Sequence, residues 1–290
     1  GEEEGGAAHG RILAQTRCRV AEPLPLPRRS PRMEMIRLPG EGVTLHAAAA
    51  GPADGRLVLL LHGFPEFWWG WRRQIGPLAE AGFRVVAPDL RGYNLSDKPD
   101  GVAAYALDTV AADVTALATA LGRERFAVVG HDWGAILAWH LATRAPDRVE
   151  RAAVLNGPHS GTMGPFARAH PSQALRSWYV GAFQLPWLPE ALLRARDFAA
   201  LRRAMRATAR EGTFTEADFA RYREAWSQPG AITAMINWYR ALVRHGATPR
   251  DRIGVPMRVI WGERDTALDR GLVAAEGGAA ADVGDAGHDR

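Results

Sequence analysis

The sequence predicts an α/β protein in which a mostly parallel, doubly wound sheet carries a helical insertion. The first observation is a series of short apolar runs, such as residues 57–61 (Leu-Val-Leu-Leu-Leu), which are typical of strands buried on both faces. The second is that helical patterns separate these runs, and alternating strands and helices favour a parallel sheet. The third is that residues 161–250 interrupt the alternation with helical apolar spacing throughout.

The predicted strands are short, and the predicted core helices lie between them. A hairpin-like turn at 39–42 (Pro-Gly-Glu-Gly) separates the first two strands. Proline and glycine residues divide the insertion, in which we expect four or five helices. We predict strands over residues 35–38, 43–49, 57–61, 83–87, 126–129, 152–155 and 257–261, and core helices over residues 71–81, 108–121 and 135–144.

These patterns divide the chain into three parts. Residues 1–32 are rich in Gly, Pro and Arg and show no lasting period, so we expect a disordered N-terminal extension. Residues 33–160 and 251–290 are expected to form the core, and residues 161–250 a helical cap. The stretch 271–281 is mostly Ala and Gly and specifies a last helix poorly, so we expect a truncated carboxyl-terminal part.

Composition narrows the class of protein and its partners. The 290 residues are 47% apolar and 23% charged, with one cysteine and a formal net charge of +4, which excludes collagen, a coiled coil and an internal disulfide. The positive charge is nearly all arginine and alternates with acids, so we expect no nucleic-acid partner. No apolar run approaches the ~20 residues of a membrane span and no secretory signal is recognisable, so we expect a cytoplasmic protein without a membrane partner.

Residues 128–135 (Val-Val-Gly-His-Asp-Trp-Gly-Ala) run from a buried strand directly into a helix. Gly130 and Gly134 stand two residues on either side of Asp132, which is the spacing of the nucleophile elbow G-x-S-x-G with Asp in the Ser position. A carboxylate is already ionised at neutral pH and suits attack on an sp³ carbon, which gives an ester. The alternative is a helix N-cap, because Asp is also a good capping residue.

A second element, residues 62–66 (His-Gly-Phe-Pro-Glu), follows another buried strand. Where a nucleophile elbow occurs, this loop and the residue after the nucleophile each supply one backbone N–H of an oxyanion hole. That rule assigns the main chains of Phe64 and Trp133 as the two donors. The histidines of the two elements, His62 and His131, are expected to be structural.

Together these segments resemble the α/β-hydrolase fold and, within it, the epoxide hydrolase family, over residues 35–265. Residues 88–93 (Pro-Asp-Leu-Arg-Gly-Tyr), 183–190 and 237–240 are also similar to that family. The resemblance implies hydrolysis of an epoxide to a vicinal diol through an Asp132 ester. It implies a small lipophilic epoxide and water as reactants, with no cofactor and no metal, and it leaves the oligomeric state open.

The resemblance also assigns four further catalytic residues. Two cap tyrosines of the family bind the epoxide oxygen, and they match Tyr239 and Tyr179, although a slip of one residue would exchange Tyr179 with Trp178. The orienting acid matches Asp265 and the general base matches His288, in the chain order nucleophile, acid, histidine. The chain stops two residues after His288, so we expect this histidine to be poorly held.

Two other functions stay open at this stage. A haloalkane-type dehalogenase would use the same Asp132 nucleophile, but such enzymes hold the halide with a cap tryptophan or with an asparagine where this chain has Phe64. An inactive or half-active binding protein would keep the pocket without turnover, because the region of His288 is defective. An aromatic-lined substrate pocket is expected from four tryptophans, namely Trp133, Trp178, Trp187 and Trp238.

Overall fold

The structure is a computed structural model that describes residues 32–262 and 264–276. The disordered extension predicted for residues 1–32 lies outside the described residues except for its last residue. The predicted general base His288 and the carboxyl-terminal part beyond residue 276 lie outside them too. In the described part, no helix has both the length and the apolar character that crossing a bilayer requires.

Within the described residues, seven strands form one sheet in the order β1-β2-β4-β3-β5-β6-β7. The antiparallel pairs are β1 with β2 and β2 with β4, and all other neighbours are parallel, which confirms the predicted mostly parallel sheet. The strands are β1 (Glu34–Pro39), β2 (Thr44–Ala50), β3 (Leu57–Leu61), β4 (Arg84–Pro88), β5 (Phe126–His131), β6 (Val149–Leu155) and β7 (Met257–Ile260).

Three helices connect the core strands, and a fourth follows the last strand. These are α1 (Arg72–Glu80), α2 (Leu107–Ala120), α3 (Trp133–Arg144) and α10 (Gly271–Glu276), with 3-10 turns at Trp68–Trp71 and Ala103–Tyr105. Helix α1 packs on β4 and β2, and α3 packs on β3, β5 and β6. All five residues of β3 are buried, as its unbroken apolar run predicts, and each such leucine contributes about 1.5–3 kcal/mol by burial.

Six helices lie between β6 and β7 within residues 156–256, all of which the structure describes. They are α4 (Ser160–Ala169), α5 (Pro171–Arg176), α6 (Trp178–Ala182), α7 (Leu188–Thr208), α8 (Glu216–Ser227) and α9 (Ala231–His245). The expected number of four or five was too low, because α5 and α6 are single short helices separated at Ser177. Helix α7 is itself broken where Arg196, Asp197 and Phe198 take left-handed backbone angles.

The order of the strands creates a crevice at the carboxyl ends of β3 and β5. These two strands are hydrogen-bonded neighbours, but the chain leaves β3 towards β4 on one side and leaves β5 towards β6 on the other. In open α/β sheets such a switch point is where ligands bind. The loop that starts at His62 and the turn that holds Asp132 both emerge there.

The amino end of α3 reaches this crevice only because Gly134 has no side chain. A Cβ atom at Gly134 would lie 2.0 Å from the carbonyl oxygen of Leu61, in the last position of β3. The contact is between two backbones, so neither partner can move aside as a flexible side chain would. The helix therefore packs on the strand with glycine at this position and with no larger residue.

We expect Gly134→Ala to lower the free energy of unfolding by about 1–3 kcal/mol, because the added methyl group overpacks a site bounded by backbone. The matched control is Gly181→Ala in α6, where a Cβ meets nothing within 4 Å. Alanine there should be neutral or stabilising by up to about 1 kcal/mol. Urea denaturation measures both, and equal effects of the two substitutions would contradict the packing argument.

Candidate active site

Asp132 stands on the turn between β5 and α3 with a strained backbone. Its φ of 52° and ψ of −117° are unusual for a residue with a side chain, and such strain clusters at functional sites. Its carbonyl accepts from Ala135 N and Ile136 N at 2.9 and 3.0 Å, so the turn leads directly into the helix. The carboxylate makes no capping hydrogen bond to α3, which disfavours the alternative of a helix N-cap.

Glycines allow the backbones around this turn to approach one another. A Cβ atom at Gly130 would lie 2.0 Å from the carbonyl oxygen of Gly134, and one at Gly63 would lie 2.4 Å from the Cβ of Asp132. The spacing of glycines that predicted the elbow therefore has a steric cause. It brings the loop after β3 against the side chain of Asp132.

The Asp132 carboxylate meets a backbone donor from that loop. The N–H of Phe64 donates to its Oδ2 at 2.7 Å. Burial raises the pKa of the Asp132 carboxyl above its ordinary value, and this effect outweighs the charge of His131 and the N–H donors of Phe64 and Trp133, which lower it. Of the two predicted backbone donors, the N–H of Phe64 thus lies within hydrogen-bond distance of the predicted nucleophile.

The two predicted tyrosines are packed together beside the residue that follows Asp132. Tyr239 of α9 is buried, and its ring is 4.9 Å from Trp133 and 5.8 Å from Tyr179 of α6. Burial raises the pKa of both phenols, and the negative charge of Asp132 raises both further. Both hydroxyl groups therefore remain protonated at neutral pH and can donate hydrogen bonds.

Aromatic rings surround the phenol of Tyr239. Phe64 and Phe183 contact its ring with centroids 5.4 and 5.0 Å away, and Trp133 forms the third side. Phe64 therefore serves the site with its ring as well as with its main chain. The surroundings of Tyr239 are therefore apolar and aromatic.

The helical register of α6 selects Tyr179 and not its neighbour. Tyr179 contacts Phe183 and Tyr239, whereas 70% of the Trp178 surface is exposed. The expected four-tryptophan lining is therefore wrong in part. Trp178 and Trp187 are exposed on the outside of the insertion, while Trp133 and Trp238 are buried near the site.

A buried arginine holds the two tyrosine-bearing segments together. Arg240, next to Tyr239, donates to the carbonyl oxygens of Phe183 and Leu185 at 2.9 and 2.7 Å. It also forms an ion pair with the buried Glu190 at 2.7 Å. The turn after α6 is thereby tied to α9, which sets the position of Tyr179 relative to Tyr239.

Asp265 lies beyond the carboxyl end of β7 and is held by its neighbours. Its Oδ1 accepts from the N–H groups of Ala267 and Leu268 at 2.8 and 2.9 Å. Its Oδ2 accepts from the Asn156 side chain at 2.5 Å, and Asn156 also accepts from Gly262 N. The negative charge of Asp265 contributes to raising the pKa of Tyr179.

A second acidic group adjoins the nucleophile. Glu66 accepts from the Tyr222 hydroxyl of α8 at 2.7 Å and lies 3.6 Å from Nδ1 of His131. Desolvation acts to lower the pKa of His131, but the hydrogen bond and charge of Glu66, with the charges of Asp132 and Asp265, raise it overall. The Tyr222 bond joins the insertion to the loop after β3.

His62 has a structural position in this loop. It is buried, its Nε2 accepts from the N–H of Leu90 at 3.0 Å, and its Nδ1 therefore donates to the carbonyl of Gly63 at 3.0 Å. Burial lowers the pKa of His62 and favours this neutral form. Among the described residues, no group of three or more His, Cys, Asp or Glu side chains is arranged to hold a metal ion.

Comparisons with known proteins agree with this geometry. Residues 56–274 match the model of a family described as the alpha/beta hydrolase fold. The chain belongs to the α/β-hydrolase family.

Relatives of this α/β-hydrolase include several epoxide hydrolases, which confirms the branch indicated by its motifs. It is 50% identical over 232 residues to the AB hydrolase superfamily protein YfhM of Bacillus subtilis, covering 80% of this chain and 81% of that protein. It is 38% identical to Epoxide hydrolase 3 of Mus musculus, covering 85% and 67%. A Bacillus megaterium epoxide hydrolase crystallised with an inhibitor superposes with a TM-score of 0.79 at 30% identity, covering 86% and 90%.

Several residues that shape the site of this hydrolase were not found by sequence reasoning. His131, expected to be structural, lies with Nδ1 3.6 Å from the Glu66 carboxylate, a contact that the sequence did not predict. Asn156 and Arg240 position Asp265 and Tyr179 through hydrogen bonds between segments far apart in sequence. Such contacts leave no periodic pattern in the sequence. The only sequence signal that could have indicated these residues is that each lies close to a recognisable motif.

The raised pKa of Asp132 predicts that its ionised carboxylate weakens the folded state of this hydrolase. The unfolded chain releases the proton near the ordinary value of 3.8, whereas the folded chain keeps it to higher pH, so ionisation favours unfolding above 3.8. We expect Asp132→Asn to have a higher free energy of unfolding than the wild type at about pH 7. This advantage should shrink as the pH falls towards 4, because the wild-type carboxyl then becomes neutral too.

Denaturation by urea at several pH values measures this difference. The matched control is Asp100→Asn, which changes an exposed carboxylate and should stay within about 0.5 kcal/mol of the wild type. An Asp132→Asn variant that is less stable at pH 7, or equally shifted at every pH, would contradict the assignment.

Proposed function

We propose that this hydrolase converts an epoxide to a vicinal diol through an ester of Asp132. The observation that carries the proposal is the Asp132 carboxylate, held at 2.7 Å by the N–H of Phe64, together with two protonated tyrosines on whose pKa its charge acts. A carboxylate opposite hydrogen-bond donors fits a reaction in which carbon is attacked and oxygen leaves as a developing alkoxide. The epoxide hydrolases among its relatives support the same reaction class.

The first step forms the ester. Oδ2 of Asp132 is engaged by Phe64, so Oδ1 attacks one ring carbon of the epoxide. The bond from that carbon to the ring oxygen breaks and its electron pair stays on oxygen. No external base is needed, because the nucleophile is already an anion.

The tyrosines serve the leaving oxygen. Tyr179 and Tyr239 donate hydrogen bonds to it, and one phenol transfers its proton as negative charge develops. Burial and the charge of Asp132 raise the pKa of both phenols, so they hold their protons in the resting state. Formation of the neutral ester removes the negative charge of Asp132. That charge then no longer repels the tyrosinate left by proton transfer.

The second step hydrolyses the ester. Once Oδ1 is bonded to carbon, Oδ2 becomes the carbonyl oxygen, and the N–H groups of Phe64 and Trp133 are the donors that stabilise its negative charge. His288 takes a proton from the attacking water, and Asp265 orients this histidine and offsets its positive charge. The acyl–oxygen bond then breaks, and the departing alkoxide takes the proton from His288, which releases the diol. The new Asp132 carboxyl keeps one oxygen from water and gives its proton to the tyrosinate, so all three side chains regain their starting forms.

The substrate class follows from the walls of the site. Phe64, Phe183 and Trp133 surround Tyr239 with apolar rings. An epoxide with an aromatic or other lipophilic substituent would bury that group against them, at about 25 cal/mol per Å² of apolar surface. We therefore propose small lipophilic epoxides as substrates.

The test is intact-mass spectrometry after incubation with styrene oxide, with the diol assayed in parallel. We expect diol formation, and turnover in ¹⁸O-water should place the heavy oxygen in the peptide that contains Asp132. Asp132→Asn should form neither adduct nor diol, whereas Asp100→Asn should retain both. A stable adduct without diol would support ester formation but would refute the proposed role of His288 in hydrolysing the ester. Neither adduct nor diol with several epoxides would overturn the proposal.

A further prediction concerns the two tyrosines. We expect Tyr179→Phe and Tyr239→Phe each to slow ester formation by about tenfold or more, and the double variant by about 10²–10⁴-fold, the usual contribution of general-acid catalysis. Rapid-mixing measurement of ester formation separates this step from hydrolysis. The matched control is Tyr105→Phe, whose hydroxyl donates to Pro99 outside the site. A double variant with the wild-type rate would exclude the tyrosines as proton donors.

A further inference from the structure

One surface of the insertion exposes an unusual number of large apolar side chains. Ten large apolar residues are exposed in the described part of the chain, and six of them fall within residues 175–192. Their exposed fractions run from 40% to 75%. We call these six the outer patch: Leu175, Trp178, Leu185, Trp187, Leu188 and Leu192. A monomeric protein rarely leaves such a cluster uncovered, and clusters of this kind mark interaction sites.

Helical turns place two members of the outer patch on one face. Helical hydrogen bonds continue after α6, from Phe183 N to Tyr179 O and from Leu185 N to Ala182 O. Trp178 and Leu185 are seven residues apart and so share one face of these turns. Tyr179 and Phe183 occupy the opposite face, towards Asp132. The helix that brings a tyrosine to the site therefore turns a second apolar face to the solvent.

Arginines predominate among the exposed charges of this segment. Between residues 160 and 197 these charges are four arginines, Arg168, Arg176, Arg194 and Arg196, and one acid, Asp197, which is paired with Arg223. Glu190 is buried and paired with Arg240. The patch is thus a group of indoles and leucines with a mainly arginine border and a positive net charge.

We propose that the outer patch docks this hydrolase on the surface of an anionic lipid bilayer. Tryptophan and leucine insert at the boundary between headgroups and acyl chains, and arginines pair with anionic headgroups while their stems stay apolar. Each basic residue near such a surface strengthens binding roughly fivefold. This charge complementarity also favours a lipid surface over a second copy of the chain, because a two-fold contact would bring the arginine borders together.

The inference departs from the expectation of no membrane partner. That expectation rested on the lack of a run of apolar residues long enough to span a bilayer. Peripheral docking requires instead a small exposed set of apolar side chains, and their exposure depends on how α5, α6 and α7 pack. Trp178 and Tyr179 are neighbours in sequence, yet only the structure shows that they face opposite ways.

Co-sedimentation with vesicles tests the proposal on the full chain. We expect binding to vesicles of phosphatidylcholine with about 30% phosphatidylserine, weaker binding to phosphatidylcholine alone, and weaker binding as salt is raised. Trp187→Ser with Leu192→Ser should weaken binding at least tenfold, since two apolar anchors are lost. Arg168→Gln with Arg194→Gln should weaken it by roughly 25-fold on anionic vesicles.

The matched controls are Met35→Ser and Arg37→Gln on the edge strand β1, which change exposed residues of the same types far from the insertion. They should bind as the wild type does, and circular dichroism should show that every variant is folded. Absence of binding to the anionic vesicles, or equal binding by patch variants and controls, would overturn the proposal. A wild-type dimer that Trp187→Ser with Leu192→Ser converts to a monomer, without vesicle binding, would assign the patch to a second copy instead.

Discussion

The rest of the site depends on one constraint, the close approach of helix α3, the end of β3 and the loop after β3 at the turn that holds Asp132. Helix α3 can reach the end of β3 only because Gly134 has no Cβ, and the loop after β3 can reach Asp132 only because Gly63 has none. The result is a single hydrogen bond of 2.7 Å between Phe64 N and the Asp132 carboxylate. That bond engages one carboxylate oxygen and leaves the other for the proposed reaction, so a steric property of the fold sets a chemical one.

The same arrangement buries the Asp132 carboxylate, and burial disfavours its negative charge. Burial raises the pKa of Asp132, and the nearby carboxylate of Glu66 raises it as well, while His131 and the backbone donors act in the other direction. Glu66 is in turn paired with His131 and held by Tyr222. The elbow therefore keeps a reactive anion at a cost in stability, which is the usual relation between an active site and its scaffold.

Sequence reasoning predicted the parts of the fold that depend on local pattern. The seven strands, the hairpin before β2 and the helix after Asp132 all follow from apolar periodicity and glycine spacing, which are local properties. The short helices α5 and α6 were not separated, because the break at Ser177 has no glycine or proline to mark it. The prediction that the Trp187 side chain lines the pocket was wrong as well. Trp187 has a left-handed backbone conformation, and its side chain is exposed.

The site residues also divide into those that a local sequence pattern positions and those that contacts between distant segments position. Asp132, Phe64 and Trp133 could be predicted because one motif fixes each of them within a few residues of a strand end. The contacts of Asn156 with Asp265 and of Arg240 with the turn after α6 span 109 and 57 residues, and no local pattern encodes them. The role of His288 stays a prediction, because it lies outside the described residues.

The insertion is anchored to the core unevenly, and this bears on how a substrate reaches Asp132. On one side, the indole N–H groups of Trp226 and Trp238 donate to the core carbonyls of Pro65 and Arg91 at 2.6 and 3.0 Å. These bonds fix α8 and α9, and with them Tyr239, to the loops that surround the nucleophile. Tyr179 lies on α6, a helix of five residues whose following turn is tied to α9 by Arg240.

The two phenols are therefore held by different means, one by direct bonds to the core and the other through a neighbouring helix. Local stability follows the number of buried contacts and protected hydrogen bonds, so we expect the segment around Tyr179 to open at a lower free energy than the segment around Tyr239. In the proposed reaction, a substrate that enters on this side would meet Tyr239 already in place, and the site would close when Tyr179 binds its oxygen.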